Sequence, residues 1–260
     1  MKRSLIIDCF PESAERYLST HAIVAIDVIR ATTTATTALA LGRRVLPART
    51  TDEASIIAAT LSHPLLAGEL GGNTPYGFDL TNSPAQIASR TDVERPMVLV
   101  SSSGTQLILT AAECPGVYLA CLRNYAAVAA YVGRRHSQVA IIGAGTRGQF
   151  RREDQIGCAL VAERLLAAGY EPENQQTLQY VARWTSMSAD ARLEAIRGGR
   201  SADYLRRSGQ DEDLEFVLAH VDDLETVPAL VDLELRDQSV RPAAMMSAGQ
   251  ESLPGGTRLE

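Results

Sequence analysis

The residues of this 260-residue chain best placed to do chemistry are carboxylates that close apolar runs. Asp27 ends the run His21-Ala-Ile-Val-Ala-Ile-Asp27, and Arg30 and the threonines Thr32, Thr33 and Thr34 follow it. Glu69 ends Leu65-Leu66-Ala67-Gly68, Asp79 follows in Gly77-Phe78-Asp79-Leu80, and Asp154 stands next to Glu153 where a helix should begin. Their polar neighbours are Arg30, Asn82, the stretch Ser102-Ser103-Gly104-Thr105, and Arg147. Several carboxylates with no histidine among them suit a hard, oxygen-seeking ion such as Mg²⁺, which takes one or two carboxylates and completes its shell with water and phosphate oxygens. Arginines and backbone N–H groups beside such an ion suit a phosphate or sulfonate. His21, His63, His136 and His220 belong to no motif, and nothing resembles a Ser-His-Asp arrangement. The set therefore favours metal-assisted phosphate chemistry over acyl transfer.

These residues need a scaffold that brings strand ends together. Apolar runs at Ser4–Phe10, His21–Asp27, Arg44–Ala48, Leu65–Glu69, Pro96–Val100, Val117–Cys121 and Gln138–Ile142 read as strands. Helical patterns lie between them: Thr32–Leu41 stopped by Gly42, Thr51–Leu61 opened by a threonine cap and two acids, a helix from Asn82-Ser83-Pro84, and Gln106–Ala112. Short joins between alternating strands and helices predict a largely parallel sheet with helices on both faces, an α/β fold. In such folds the ligand sits where strand tips meet helix starts, because exposed N–H groups and the helix dipole face one crevice. Leu70 to Ser83 is a long Gly/Asn/Pro-rich loop, and its aromatics Tyr76 and Phe78 argue that it is ordered. Ser101–Thr105 reads either as a small anion cradle or as an ordinary serine cap. Gly143-Ala-Gly145-Thr146-Arg147-Gly148 fits a dinucleotide fingerprint in spacing. It arrives after several βα units, its helix starts only near Arg152, and no acid-ended strand follows, all of which weigh against that reading. Residues 175–220 turn polar and amphipathic and read as a helical cap, Val227–Leu235 as a closing strand at a sheet edge, and 237–260 as a loose tail.

Bulk properties narrow the class. A hydrophobic share of 45% lets the chain bury a full core, and the net charge of −6, with no concentrated basic face, argues against nucleic acid. The cysteines Cys9, Cys114, Cys121 and Cys158 form no C-x-x-C pair and read as free thiols of a reducing compartment. No apolar run approaches a membrane span, and the N-terminal apolar segment is too short for a signal peptide, so the expectation is a soluble, cytoplasmic protein.

Ile26-Asp27-Val28-Ile29-Arg30-Ala31-Thr32-Thr33-Thr34, Ala67-Gly68-Glu69-x-Gly71-Gly72, Gly77-Phe78-Asp79-Leu80-x-Asn82-Ser83-Pro84 and the segment from Ala144-Gly145 to Glu153-Asp154 resemble, in order and spacing, the signatures of the 2-phosphosulfolactate phosphatase (ComB) family. Asp213-Leu-Glu-Phe to Val227-Pro-Ala-Leu is similar to the family's C-terminal region. The resemblance implies a three-layer α/β/α sandwich over residues 1–236 and a Mg²⁺-dependent phosphatase acting on 2-phosphosulfolactate, a step towards coenzyme M. Three family arginines are replaced here by Leu70, Gln106 and Thr146, and Arg147 restores one of them a position later. Charge-assisted contacts contribute roughly 1.5–3 kcal/mol each, so the expected substrate is a small phospho-acid that is either bound more weakly or less charged. Asp27, Glu69 and Asp79 are the expected metal ligands. Asp27, Asp154 and Arg30 are the expected catalytic groups, and Asn82, Ser102, Ser103, Gly104, Thr105 and Arg147 the substrate-binding ones. The expected partner is a small phosphorylated anion, with no nucleic acid or membrane and with a homodimer left open. The alternative is a non-catalytic protein that binds a phosphorylated or sulfonated metabolite.

Overall fold

The computed structural model describes residues 2–239. It contains β1 (Ser4–Cys9), a 3-10 helix (Pro11–Tyr17), β2 (Ala22–Ile26), α1 (Ala31–Ala40), β3 (Val45–Ala48), α2 (Thr51–Ala59), β4 (Leu65–Gly68) and α3 (Pro84–Ala88). There follow β5 (Met97–Val100), α4 (Gly104–Thr110), β6 (Val117–Ala120), α5 (Tyr125–Gly133), β7 (Gln138–Gly143), α6 (Arg152–Ala167) and β8 (Glu171–Pro172). The helices α7 (Gln175–Thr185), α8 (Ala189–Arg197), α9 (Arg200–Arg207) and α10 (Asp211–Ala219) then precede β9 (Pro228–Val231) and β10 (Glu234–Asp237). Among the described residues no helix is long and apolar enough to cross a membrane. The loose tail expected from residue 237 lies, from residue 240 on, outside the described residues.

One mixed sheet has the order β4-β5-β3-β10-β9-β6-β2-β7-β1-β8. The blocks β4-β5-β3 and β6-β2-β7-β1-β8 are each parallel inside, as the strand and helix alternation predicts. The closing strand expected at Val227–Leu235 is instead the hairpin β9–β10, and it lies in the middle of the sheet rather than at an edge. Its turn residues Asp232 and Leu233 both have positive φ, 51° and 61°, as a two-residue hairpin demands. Neither residue is a glycine or an asparagine, so the turn carries no sequence signal. The β4 edge is covered by the return of the 70–83 loop, where Leu80 bridges Ala67.

Inward residues of both blocks, among them Ile23, Ala25, Val45, Leu65, Leu99, Leu119 and Ile142, share one core with Ala35 and Ala38 of α1 and Leu107 and Ile108 of α4. The opposite face packs β1, β2, β6 and β7 against α5, α6 and the 175–219 helices. These are the layers of a three-layer α/β/α arrangement. Threonine is a weak helix former, yet α1 buries Thr32, Thr33, Thr34, Thr36 and Thr37. Thr33 Oγ1 donates to Val28 O (2.8 Å) and Thr37 Oγ1 to Thr33 O (2.7 Å), so those two hydroxyls are satisfied by carbonyls and the helix is held by its surroundings. Ser83 caps α3 by accepting from Gln86 N, with Pro84 as its first residue. The cap of α2 is Thr50, one residue before the threonine expected, and it accepts from Glu53 N at 3.1 Å.

Candidate active site

The tips of β2 and β4, the junction between β5 and α4, and the 146–151 segment face helix α9 across a cavity of about 680 Å³. Asp27 sits just past β2. Thr32 closes the turn behind it, with Oγ1 accepting from Asp27 N (3.0 Å) and donating to Asp27 O (2.8 Å). That leaves the carboxylate facing the cavity. It is only 8% exposed. Burial, and then the negative charges of Glu69 and Glu153, push its pKa up to about 7, against the Ala31 N–H and the Arg30 charge. A Cβ on Gly104 would run into Asp27 Oδ2 and the Ala31 methyl, so only glycine lets α4 start this close.

Arg30 also lines the cavity, but its guanidinium is committed to Asp213 of α10, and both side chains are buried. Asp213 Oδ1 further accepts from Ser83 Oγ (2.5 Å) and Ala85 N (3.1 Å). One carboxylate thus ties the β2 tip, the start of α3 and the cap helices together. Glu69 accepts from Ser102 N (2.7 Å), Ser102 Oγ (3.1 Å) and Gly72 N (2.6 Å), and Ser102 Oγ accepts from Gly71 N (2.7 Å). Glu69 therefore stitches the long loop to the β5–α4 junction while lining the cavity with Ser102, Ser103 and Asn82. Asn82 is buried, and its Oδ1 has no hydrogen-bond partner among the described residues.

Four expected site residues stand elsewhere. Asp79, expected as a metal ligand, accepts from Leu66 N (2.9 Å) and pairs with Arg95 (3.4 Å), outside the residues that line the cavity. Its neighbour Leu80 bridges Ala67 of β4, which places Asp79 against the flank of that strand rather than beyond its tip. Asp154, expected as a catalytic acid or ligand, is buried behind the cavity and accepts from Val28 N (2.9 Å) and Gly145 N (3.2 Å). Burial, then Asp27 and Glu153, hold its pKa well above the usual carboxylate range. It is a positioning residue that joins the tips of β2 and β7. Thr105 is fully buried, exchanging hydrogen bonds with Ser101 at 2.9 and 3.0 Å, and Gly104 supplies clearance rather than contact. Ser102 and Ser103 line the cavity, whereas Ser101 and Thr105 bond one another at the start of α4, whose N-cap Ser103 makes no side-chain capping bond.

Arg147 lines the cavity from a turn in which Thr146 and Gln149 exchange backbone hydrogen bonds at 3.0 and 3.1 Å. Gly145 and Gly148 take φ of 60° and 69° there, so the glycine spacing makes a tight turn that presents an arginine. Sequence reasoning missed Arg151, in the same segment as Arg147, and the opposite wall of Arg200, Tyr204 and Arg207. Arg200, Tyr204 and Arg207 recur at helical spacing opposite the buried Ala202 and Leu205, a signal readable as one polar face of α9. Of the three family arginine positions only Thr146 lines the cavity, while Gln106 Nε2 reaches back to Arg49 O. Arg147, Arg151, Arg200 and Arg207 form no ion pair among the described residues, so the wall presents positive charge to the acidic floor.

Two outcomes are expected. Asp213→Ala strands the buried Arg30 charge and should lower unfolding free energy by about 3–5 kcal/mol, measured by urea denaturation; a loss within ~1 kcal/mol would contradict the coupling. Asp27 holds its proton in the folded protein between roughly pH 4 and 7, where the unfolded chain has released it, so its burial costs stability as pH rises through that interval. Asp27→Asn should therefore melt above the parent protein at pH 8 in EDTA, by on the order of 4 kcal/mol, with the gap closing towards pH 4. A gap independent of pH would show that Asp27 is not strained by burial.

A family model described as 2-phosphosulpholactate phosphatase matches residues 9–232. The chain is 34% identical over 231 residues to a probable 2-phosphosulfolactate phosphatase of Deinococcus radiodurans, covering 87% of this chain and 93% of that one. It is 35% identical over 205 residues to one of Symbiobacterium thermophilum (76% and 87%), and 29% identical over 220 residues to one of Caldanaerobacter subterraneus (83% and 90%). With the match running from the end of β1 to the turn of the central hairpin, this chain belongs to the 2-phosphosulpholactate phosphatase family.

Proposed function

We propose that the cavity hydrolyses the phosphoester of a small poly-anionic acid, 2-phosphosulfolactate or a related 2-phospho-acid, to the hydroxy acid and phosphate. The names of the relatives support the reaction. The observation that carries it for this chain is Asp27, poised near neutral pKa on the floor of an arginine-walled cavity.

No three His, Cys, Asp or Glu side chains among the described residues make a cage for a metal ion. Asp27 and Glu69 nevertheless line one cavity. That donor set fits Mg²⁺, which keeps waters and takes substrate oxygens rather than requiring a complete protein shell. Asp27 would hold the ion, with Glu69 beside it, and the ion would supply neutralisation of phosphoryl charge. The Ser103 hydroxyl, whose proton no bond to Glu69 engages, donates to a phosphoryl oxygen. Arg147, Arg151, Arg200 and Arg207 hold the remaining carboxylate and sulfonate and orient the ester for in-line attack by water. The P–O bond to the substrate carbon breaks as the bond to water forms, and the proton released by water ends on the departing alkoxide. Asp27, uncharged below its pKa and charged above it, accepts a strong, charge-assisted hydrogen bond from the attacking water only in its ionised form.

Phosphate release from 2-phosphosulfolactate and neighbouring phospho-acids, with and without Mg²⁺, tests this. Turnover should require Mg²⁺ and fall roughly 10³-fold in Asp27→Asn. Mg²⁺ should raise the melting temperature of the parent and not of that variant. Binding without release by the parent protein would favour the non-catalytic alternative. Arg207→Gln should raise KM about tenfold for a sulfonated phospho-acid and change KM little for a phosphomonoester bearing no second anion, because one charge-assisted contact is worth about 1.4 kcal/mol or more.

A further inference from the structure

A second cavity, of about 260 Å³, adjoins the first and is lined by Arg151, Arg152, Arg183 and Arg200 with Gln155 and Trp184. No carboxylate lines it. None of the four arginines forms an ion pair among the described residues. Their acceptors are neutral: Arg151 and Arg200 share Gln149 Oε1 at 3.0 and 2.5 Å, and Arg152 donates to Ala195 O at 3.1 Å. Arg151 Nε is buried with no hydrogen-bond partner among the described residues. Arg183 lies over the Trp184 ring, 4.8 Å from its centre. Glu153, in the first turn of α6, sits behind Gly199 without lining the cavity. Arg152, Arg183 and Arg200 are exposed and Arg151 half-buried; an anion among them relieves their mutual repulsion, and planar guanidinium groups are shaped to take oxyanions two oxygens at a time.

We infer that this second cavity is a binding site for a compact tetrahedral oxyanion of the phosphate type, separate from the cavity that holds Asp27. The volume suits one such ion with a few waters and is too small for the phospho-acid and its surrounding contacts together. The site shares Arg151 and Arg200 with the first cavity, but Arg152 and Arg183 line it alone, and its occupancy does not depend on the hydrolytic reading. If that reading holds, phosphate is the reaction's product, and the shared Arg151, Arg200 and Gln149 would carry its occupancy to the neighbouring cavity.

Trp184 is the chain's single tryptophan, so its fluorescence reports this cavity alone. Titration of the full chain with sodium phosphate, against sodium chloride at matched ionic strength, should give a saturable change that chloride does not. Arg183→Gln should weaken it at least tenfold, since the Arg183 side chain lines only the second cavity. Arg183→Lys should restore part of the affinity. Arg207→Gln, which alters only the first cavity, should leave the curve within twofold. Calorimetric titration of the same variants reads binding without the fluorophore, and unchanged melting of Arg183→Gln confirms its fold. A response equalled by chloride, an unaltered calorimetric affinity in Arg183→Gln, or equal losses in Arg183→Gln and Arg207→Gln would overturn the site. Phosphate binding here with no phosphoester turnover would leave this inference standing while the hydrolytic reading fell.

Discussion

The buried contact between Arg30 and Asp213 governs how the rest of this molecule is arranged. Two charges withdrawn from water cost more than their attraction returns unless further polar partners are present. Ser83 Oγ and Ala85 N supply them on the aspartate side. Since neither charge tolerates separation, helix α10 must stay seated on the tip of β2 and the start of α3. Helix α9 packs on α10 through the same apolar cluster, which holds Ala202, Leu205 and Leu214. The cationic wall therefore faces the carboxylates because an ion pair some distance along the chain leaves the cap no other place to sit.

Within that frame the acids divide their work by hydrogen bonding rather than by residue type. Asp154 is saturated by the Val28 and Gly145 N–H groups, and Glu69 by Gly72 and Ser102, so both shape backbone. Asp27 keeps its carboxylate at the cavity, where burial and the charges of Glu69 and Glu153 keep its proton affinity high. Replacing family arginines by Leu70, Gln106 and Thr146 does not leave the cavity short of positive charge, because Arg147 and Arg151 line it from one side and Arg200 and Arg207 from the other.

What could be read from the sequence was what repeats along it. The parallel blocks, the buried β2 run and the Pro84 helix start follow from periodicity and caps, and Asp27 and Glu69 follow from standing at strand tips. Asp79 looked equivalent to them, yet its segment returns along β4 and turns the carboxylate towards Leu66 and Arg95. Asp154 has the right type and the right place, but its two N–H partners are visible only in three dimensions. The cap arginines read as a solvated face because a helix pattern says which side is polar and not what lies opposite it. The Asp232-Leu233 turn was hidden because two ordinary residues adopt a backbone usually signalled by glycine or asparagine.

The central hairpin has a consequence for how the chain is made. Residues 228–237 fill the gap between β3 and β6, so both of those strands keep an open, unpaired side until that segment has been synthesised. Neither half can complete its sheet on its own, and the hairpin joins segments made long before it. The nascent chain therefore passes through a period in which two apolar strand borders invite neighbouring chains.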